Sequence, residues 1–195
     1  MSGTAKIVIS SIIILISIAL GIYVAFNSIA LGSHMSSSVT SGSWWTNTVV
    51  GSVHADARTR AYVAKIGLLA LAPEETTYYP LYDVDGEPIS SDFVYELRGN
   101  QIPARWWSIT LYGEDHFLVP NKENRYSVKS TQIEREVGGG FVVYLSREPH
   151  KGNWISLGNA QNMSLSLRMY NPPPDIRQRL DKLDLPTIHK IGKAL

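Results

Sequence analysis

The sequence contains no cysteine, which excludes disulfides, thiolate metal sites, cysteine nucleophiles and lipid attachment at cysteine. It also has almost no net charge, since 18 basic residues against 17 acidic ones leave +1. No Lys/Arg cluster stands out locally, so nucleic acid is not an expected partner. The five histidines (His34, His54, His116, His150 and His189) are scattered, with neither H-x-H nor H-E-x-x-H spacing. No local metal motif exists, and neither a metal nor a cofactor is expected. No serine sits in a G-x-S-x-G context, so a Ser-His-Asp hydrolase has no visible nucleophile.

A further absence is informative in the opposite sense. Residues 7–26, IVISSIIILISIALGIYVAF, are twenty consecutive positions without a charge. At about 1.5 Å rise per residue, such a helix spans roughly 30 Å, the hydrocarbon thickness of a bilayer. No Lys or Arg occurs between Lys6 and Arg58, and positive charge beside a span stays cytoplasmic. The expected arrangement is a cytoplasmic N-terminus (1–6), a span in the cytoplasmic membrane (7–26), and a periplasmic or extracellular remainder. A cleaved signal peptide is the alternative, because Ser28-Ile29-Ala30 suits a cleavage site. Signal-peptide apolar cores run about 7–15 residues, and this longer run favours an uncleaved anchor. Both readings put the following domain on the same side.

Residues 27–43, NSIALGSHMSSSVTSGS, are rich in Ser and uncharged, and read as a flexible linker. Gly32-Ser33-His34-Met35 within it matches an expression-tag scar, although the natural-looking span before it argues for coincidence. From Trp44 to Ala72 the pattern predicts a helical segment. Asp56 can cap a helix whose apolar positions Tyr62, Val63, Ile66, Leu69 and Ala70 recur at spacings of three and four, and Pro73 stops it. A shorter helix is expected at Trp44–Thr48, with the tryptophans at the membrane interface or in the domain core.

After Pro73 the period switches to two. Phe93, Tyr95 and Leu97 alternate with Asp92, Val94 and Glu96. Trp107, Ile109 and Leu111 alternate with Trp106, Ser108, Thr110 and Tyr112. Met163, Leu165, Leu167 and Met169 alternate with Ser164, Ser166, Arg168 and Tyr170. These patterns predict half-buried antiparallel strands, and the solid apolar run Phe141–Leu145 predicts a central one. Turn signals such as Asp85-Gly86, Gly138-Gly139-Gly140 and Gly158-Asn159 separate them. The expected fold is mainly β: an antiparallel sandwich or jelly-roll-like domain with an N-terminal transmembrane helix and one or two short helices. A short helix is expected at Asp175–Leu183, with a polar tail from Pro186. The expected domain runs over 44–188, and residues 189–195 form a tail.

The segment RWWSITLYGEDHFLVPNKENRYSV (105–128) and the later GNWISLGNAQNMSLSLRMYNPPP (152–174) resemble the signatures of domain-of-unknown-function family 1214 (DUF1214). The aromatic strand, the FLVPN turn, the NRYS segment and the NPPP ending carry the likeness, which covers roughly residues 44–188. The resemblance implies a jelly-roll-like β domain. In many relatives that domain follows another uncharacterised domain, family 1254; here a membrane span takes its place, as in short membrane-bound bacterial members. It implies no settled activity and transfers no catalytic residues.

His116 is the best catalytic candidate, because it follows Glu114-Asp115 and a histidine beside a carboxylate such as Asp115 can act as a general base. A solvent-exposed turn is the plainer reading, since adjacent strand residues point to opposite faces. The face carrying Trp106, Ser108, Thr110, Tyr112, Ser164, Ser166, Arg168 and Tyr170 sets aromatic rings and hydroxyls around one Arg. It can line a groove for a small ligand if the two strands are neighbours, or be covered by the N-terminal helix. Arg125, next to Tyr126, can clamp an anion bidentately, or belong to an Asn-rich loop that satisfies its own backbone. The residues of choice for ligand binding are Trp106, Arg125, Tyr126 and Arg168. The leading expectation is a membrane-anchored envelope protein whose β domain binds a small ligand or an envelope partner protein. The alternatives are a hydrolase using His116, Asp115 and Arg125, and a structural subunit that forms homo-oligomers.

Overall fold

A computed structural model describes residues 2–30 and 37–194 of the chain. The uncharged run forms one helix, α1 (Gly3–Ala30), which extends past the predicted 7–26 at both ends. Its apolar side chains are solvent-exposed from Ile7 to Phe26, Leu15 among them. A helix with this much unburied Ile and Leu has no protein core to serve. Among the described residues it is the one helix long and apolar enough to cross a membrane, with a mean hydropathy of 2.8.

The rest is mainly β. Hairpin β1 (Ser38–Ser41) and β2 (Trp44–Asn47) comes first, followed by α2 (Ala57–Lys65). Then come β3 (Thr76–Leu81), the short pair β4 (Asp83–Val84) and β5 (Glu87–Pro88), β6 (Phe93–Gly99) and β7 (Trp106–Tyr112). The chain continues through β8 (Ser127–Lys129), β9 (Phe141–Ser146), β10 (Asn153–Ser156), β11 (Ser164–Tyr170) and β12 (Thr187–Lys193). Two four-stranded sheets result, ordered β3-β11-β7-β8 and β10-β9-β6-β12. Their pairings are antiparallel except β10 on β9, which is parallel.

Period-two patterning explains how the sheets pack. Trp107, Ile109 and Leu111 of β7 and Leu165, Leu167 and Met169 of β11 are all at most 2% exposed. They meet Tyr95, Leu97, Phe141, Val143 and Leu145 of the facing sheet in one core. Trp107 stacks on Phe141 across the layers, with ring centroids 5.2 Å apart. As the apolar run predicts, β9 is an interior strand, between β10 and β6.

Several boundaries differ from the sequence reading. Residues 38–41, assigned to the flexible linker 27–43, are β1 and pair with β2; residues 31–36, including the Gly32–Met35 match, lie outside the described residues. Trp44–Asn47 is strand rather than helix, because Trp44 and Trp45 serve opposite faces of β2. The helix predicted within 44–72 is only Ala57–Lys65. Gly67, at φ 65°, ends it well before Pro73, since that left-handed backbone costs glycine little. The expected helix at Asp175–Leu183 is two separate 3-10 turns, Ile176–Gln178 and Leu180–Lys182. The predicted tail, 189–195, largely belongs to β12, which covers the edge of β6; the cationic spacing of Lys190 and Lys193 hid an edge strand whose buried residue is Ile188.

Candidate functional site

Strand β11 lies between β3 and β7, so their outward residues form one surface. Across β11 and β7 the pairs are Ser164 with Tyr112, Ser166 with Thr110, Arg168 with Ser108, and Tyr170 with Trp106. On the other side, Arg168 and Ser166 face Tyr78 and Pro80 of β3. The aromatic and hydroxyl face expected from the sequence is therefore contiguous. Pro80 is tolerated because β3 is an edge strand, with β11 its one partner in the sheet.

Hairpin β1–β2 and α2 roof part of this face. Trp44 turns into the core, and its indole Nε1 donates to the Pro186 carbonyl at 2.6 Å. Ser41 Oγ donates to the Leu183 carbonyl at 2.6 Å. These two bonds tie the hairpin to the segment before β12. The next residue, Trp45, points the other way, stacking on Tyr82 at 6.2 Å and tilting onto Tyr62 at 6.1 Å. Asp56 starts α2 as predicted, its carboxylate accepting from Thr59 N at 2.7 Å. That bond holds the Asp56 carboxyl below its ordinary value.

Phenols fasten roof to floor. Tyr62 of α2 and Tyr82 share a hydrogen bond at 2.7 Å. The Tyr78 hydroxyl accepts from Leu71 N at 2.9 Å, which pins the segment after α2. Burial pushes the Tyr62 phenol far up, with the Tyr82 oxygen adding to it, and burial likewise raises Tyr82. Both stay neutral donors and acceptors at ordinary pH.

Between roof and floor is a cleft of about 200 Å³. Its rings come from Trp45, Tyr62, Tyr78, Tyr82 and Tyr112, and its aliphatic wall includes Val63, Ile66 and Leu68. Arg168, His116, Ser164 and Ser166 supply its polar lining, and among the described residues no carboxylate lines it. The Arg168 guanidinium lies over the Tyr112 ring at 5.4 Å. Two other lining residues carry buried donors without a hydrogen-bond partner, Trp45 Nε1 and Asn47 Nδ2. Such groups each cost about 1–3 kcal/mol.

The predicted site residues separate. Arg168 and His116 line the cleft. Trp106 lies on the same face but beyond it, edge-on to Tyr170 at 5.1 Å. Asp115 lines a different depression, with Glu114 and Leu118, and its Oδ1 accepts from Phe117 N at 3.0 Å. Arg125 and Tyr126 follow the Asn-rich loop. Asn121 Oδ1 accepts from Arg125 N at 2.8 Å, and Tyr126 Oη donates to Asn124 Oδ1 at 3.0 Å. Neither residue lines the cleft. His116, Asp115 and Arg125 thus do not gather in one pocket. Among the described residues no cluster of three or more His, Asp or Glu is arranged to hold a metal.

Sequence reasoning missed most of the cleft. Tyr78, Pro80 and Tyr82 alternate, as do Trp45 and Asn47, and period two was the available signal. Pro80 and the helical reading of 44–48 obscured it.

No curated protein matches this chain. Among solved structures, the VPA0106 protein from Vibrio parahaemolyticus is 21% identical, with a TM-score of 0.58 over 69% of this chain and 35% of that one. An uncharacterized protein from Burkholderia cenocepacia is 13% identical, with a TM-score of 0.46 over 60% of this chain and 30% of that one. This chain therefore spans about a third of the length of either. The first likeness is one of fold. The family described as "Protein of unknown function (DUF1214)" matches residues 74–174, from just before β3 to just after β11, and the chain belongs to that family.

Proposed function

We propose that this protein is a single-pass membrane protein whose β domain, outside the cytoplasmic membrane, binds a small ligand in the cleft between the β3-β11-β7 face and α2. The observation that carries this reading is the cleft itself. It is concave, ringed by aromatic side chains and supplied with a few convergent polar groups, the usual make-up of a small-molecule site. The unburied apolar surface of α1 supports anchoring. The scarcity of positive charge between Lys6 and Arg58 supports an inside N-terminus. The floor of the cleft lies within the family match and its roof, Trp45 to Leu68, lies before it.

The test is saturation-transfer NMR on the full chain in phosphatidylcholine nanodiscs, with a mixture of neutral single-ring compounds. Wild type should transfer saturation to at least one of them, and Ser166→Trp, which fills the cleft from its floor, should abolish the transfer. Equal transfer in the two proteins would discard the cleft as the site.

A further inference from the structure

The lining of the cleft is one-sided in its polarity. Among the described residues it is lined by a guanidinium, an imidazole, two serines and an asparagine, but by no Asp or Glu. Among the described residues Arg168 forms no ion pair, and neither do Arg60, Arg105, Arg125 and Arg135, but it alone of these lines the cleft. Its one recorded contact with another ring or charge is the Tyr112 face. A guanidinium stacked on a ring keeps its N–H edge free for a planar, two-oxygen acceptor.

Size narrows the choice. An apolar cavity of about 150 Å³ holds benzene, and this cleft, at about 200 Å³, has room for one ring and a small substituent. From these observations we infer that the cleft takes a single-ring aromatic carboxylate, its ring among Trp45, Tyr62 and Tyr82 and its carboxylate on Arg168. This rests on the cleft being a ligand site and adds the chemistry of the ligand. A bound carboxylate supplies the negative charge that the walls lack, at the one residue positioned to bind it in two places. The aromatic rings offer the stacking surfaces that an aliphatic acid would use less well.

The experiment is calorimetric titration of the full chain in phosphatidylcholine nanodiscs with benzoate and with benzyl alcohol, its neutral counterpart in ring and size. Wild type should bind benzoate about tenfold or more tightly than benzyl alcohol, the margin of a charge-assisted pair over a neutral contact. Arg168→Met keeps the apolar stem and should erase that preference while still binding benzyl alcohol. Equal affinity of wild type for both probes overturns the carboxylate assignment and leaves the cleft as a site for neutral rings. A benzoate preference that persists in Arg168→Met also overturns it, because the charge would then be read elsewhere. If neither probe binds wild type at millimolar concentration, the cleft reading itself falls.

Discussion

The phenol oxygens of Tyr62 and Tyr82 lie 2.7 Å apart, and this single bond fastens α2 to the segment leaving β3 at the rim of the aromatic cleft. Removing one hydroxyl leaves the other buried and unpaired. Tyr82→Phe or Tyr62→Phe should therefore each lower stability by about 1 kcal/mol, while the double variant should cost less than the sum. Thermal unfolding of the full chain, followed by near-ultraviolet circular dichroism, measures all three.

The same burial sets an alkaline limit. Both phenols are raised above the ordinary value of 10.0, so the folded state keeps protons that the unfolded chain releases. Their contribution is fully present below about pH 10 and is lost as pH rises through the folded values. Burial raises the Tyr79 phenol as well, so tyrosinate absorbance should show three fewer phenols ionising reversibly near pH 10 in wild type than in the unfolded chain. Removing the Tyr62 and Tyr82 hydroxyls should shrink that gap.

Asp56 predicts an acid limit for the roof. Its carboxyl is held below 3.8, first by the Thr59 N–H, so the cap is intact above that value and weakens as pH falls through the folded one. Asp56→Ala should speed amide exchange in residues 57–65 at neutral pH and leave β9 and β11 protected. Hydrogen-exchange mass spectrometry resolves the two outcomes.

How much of this was legible beforehand depended on period and on partners. The inward sets on β6, β7 and β11 announced themselves by strict alternation, and Trp107 and Met169 lie where that alternation puts them. The outward face was legible too, but its coverage was not, because whether Ser108 and Thr110 meet water depends on neighbours distant in sequence. Hairpin β1–β2 and strand β12 were invisible for a related reason. Each is short or rich in Ser, Gly and Lys, and is held by tertiary bonds such as Trp44 to Pro186 rather than by propensity.

That bond can be dissected. Trp44→Phe keeps most of the apolar volume and loses the donor to Pro186, which should cost about 1 kcal/mol. Trp44→Ala empties a site only 1% exposed and should cost about 3–5 kcal/mol. Urea unfolding curves of the full chain in detergent micelles should rank the two in that order.

Topology has its own test. Alkaline phosphatase, which is active only outside the cytoplasm, should be active when fused after Leu195. A fusion of green fluorescent protein at the same point, exported unfolded, should be dark.

The cleft is tested most directly at Trp45, whose ring lines it and whose buried indole N–H has no hydrogen-bond partner. Of the five tryptophan indole N–H resonances, the one lost in Trp45→Phe should move, saturably and the furthest, when benzoate is titrated into the full chain. If that resonance stays fixed while another indole moves, or if none moves up to millimolar probe, the cleft does not bind the ligand.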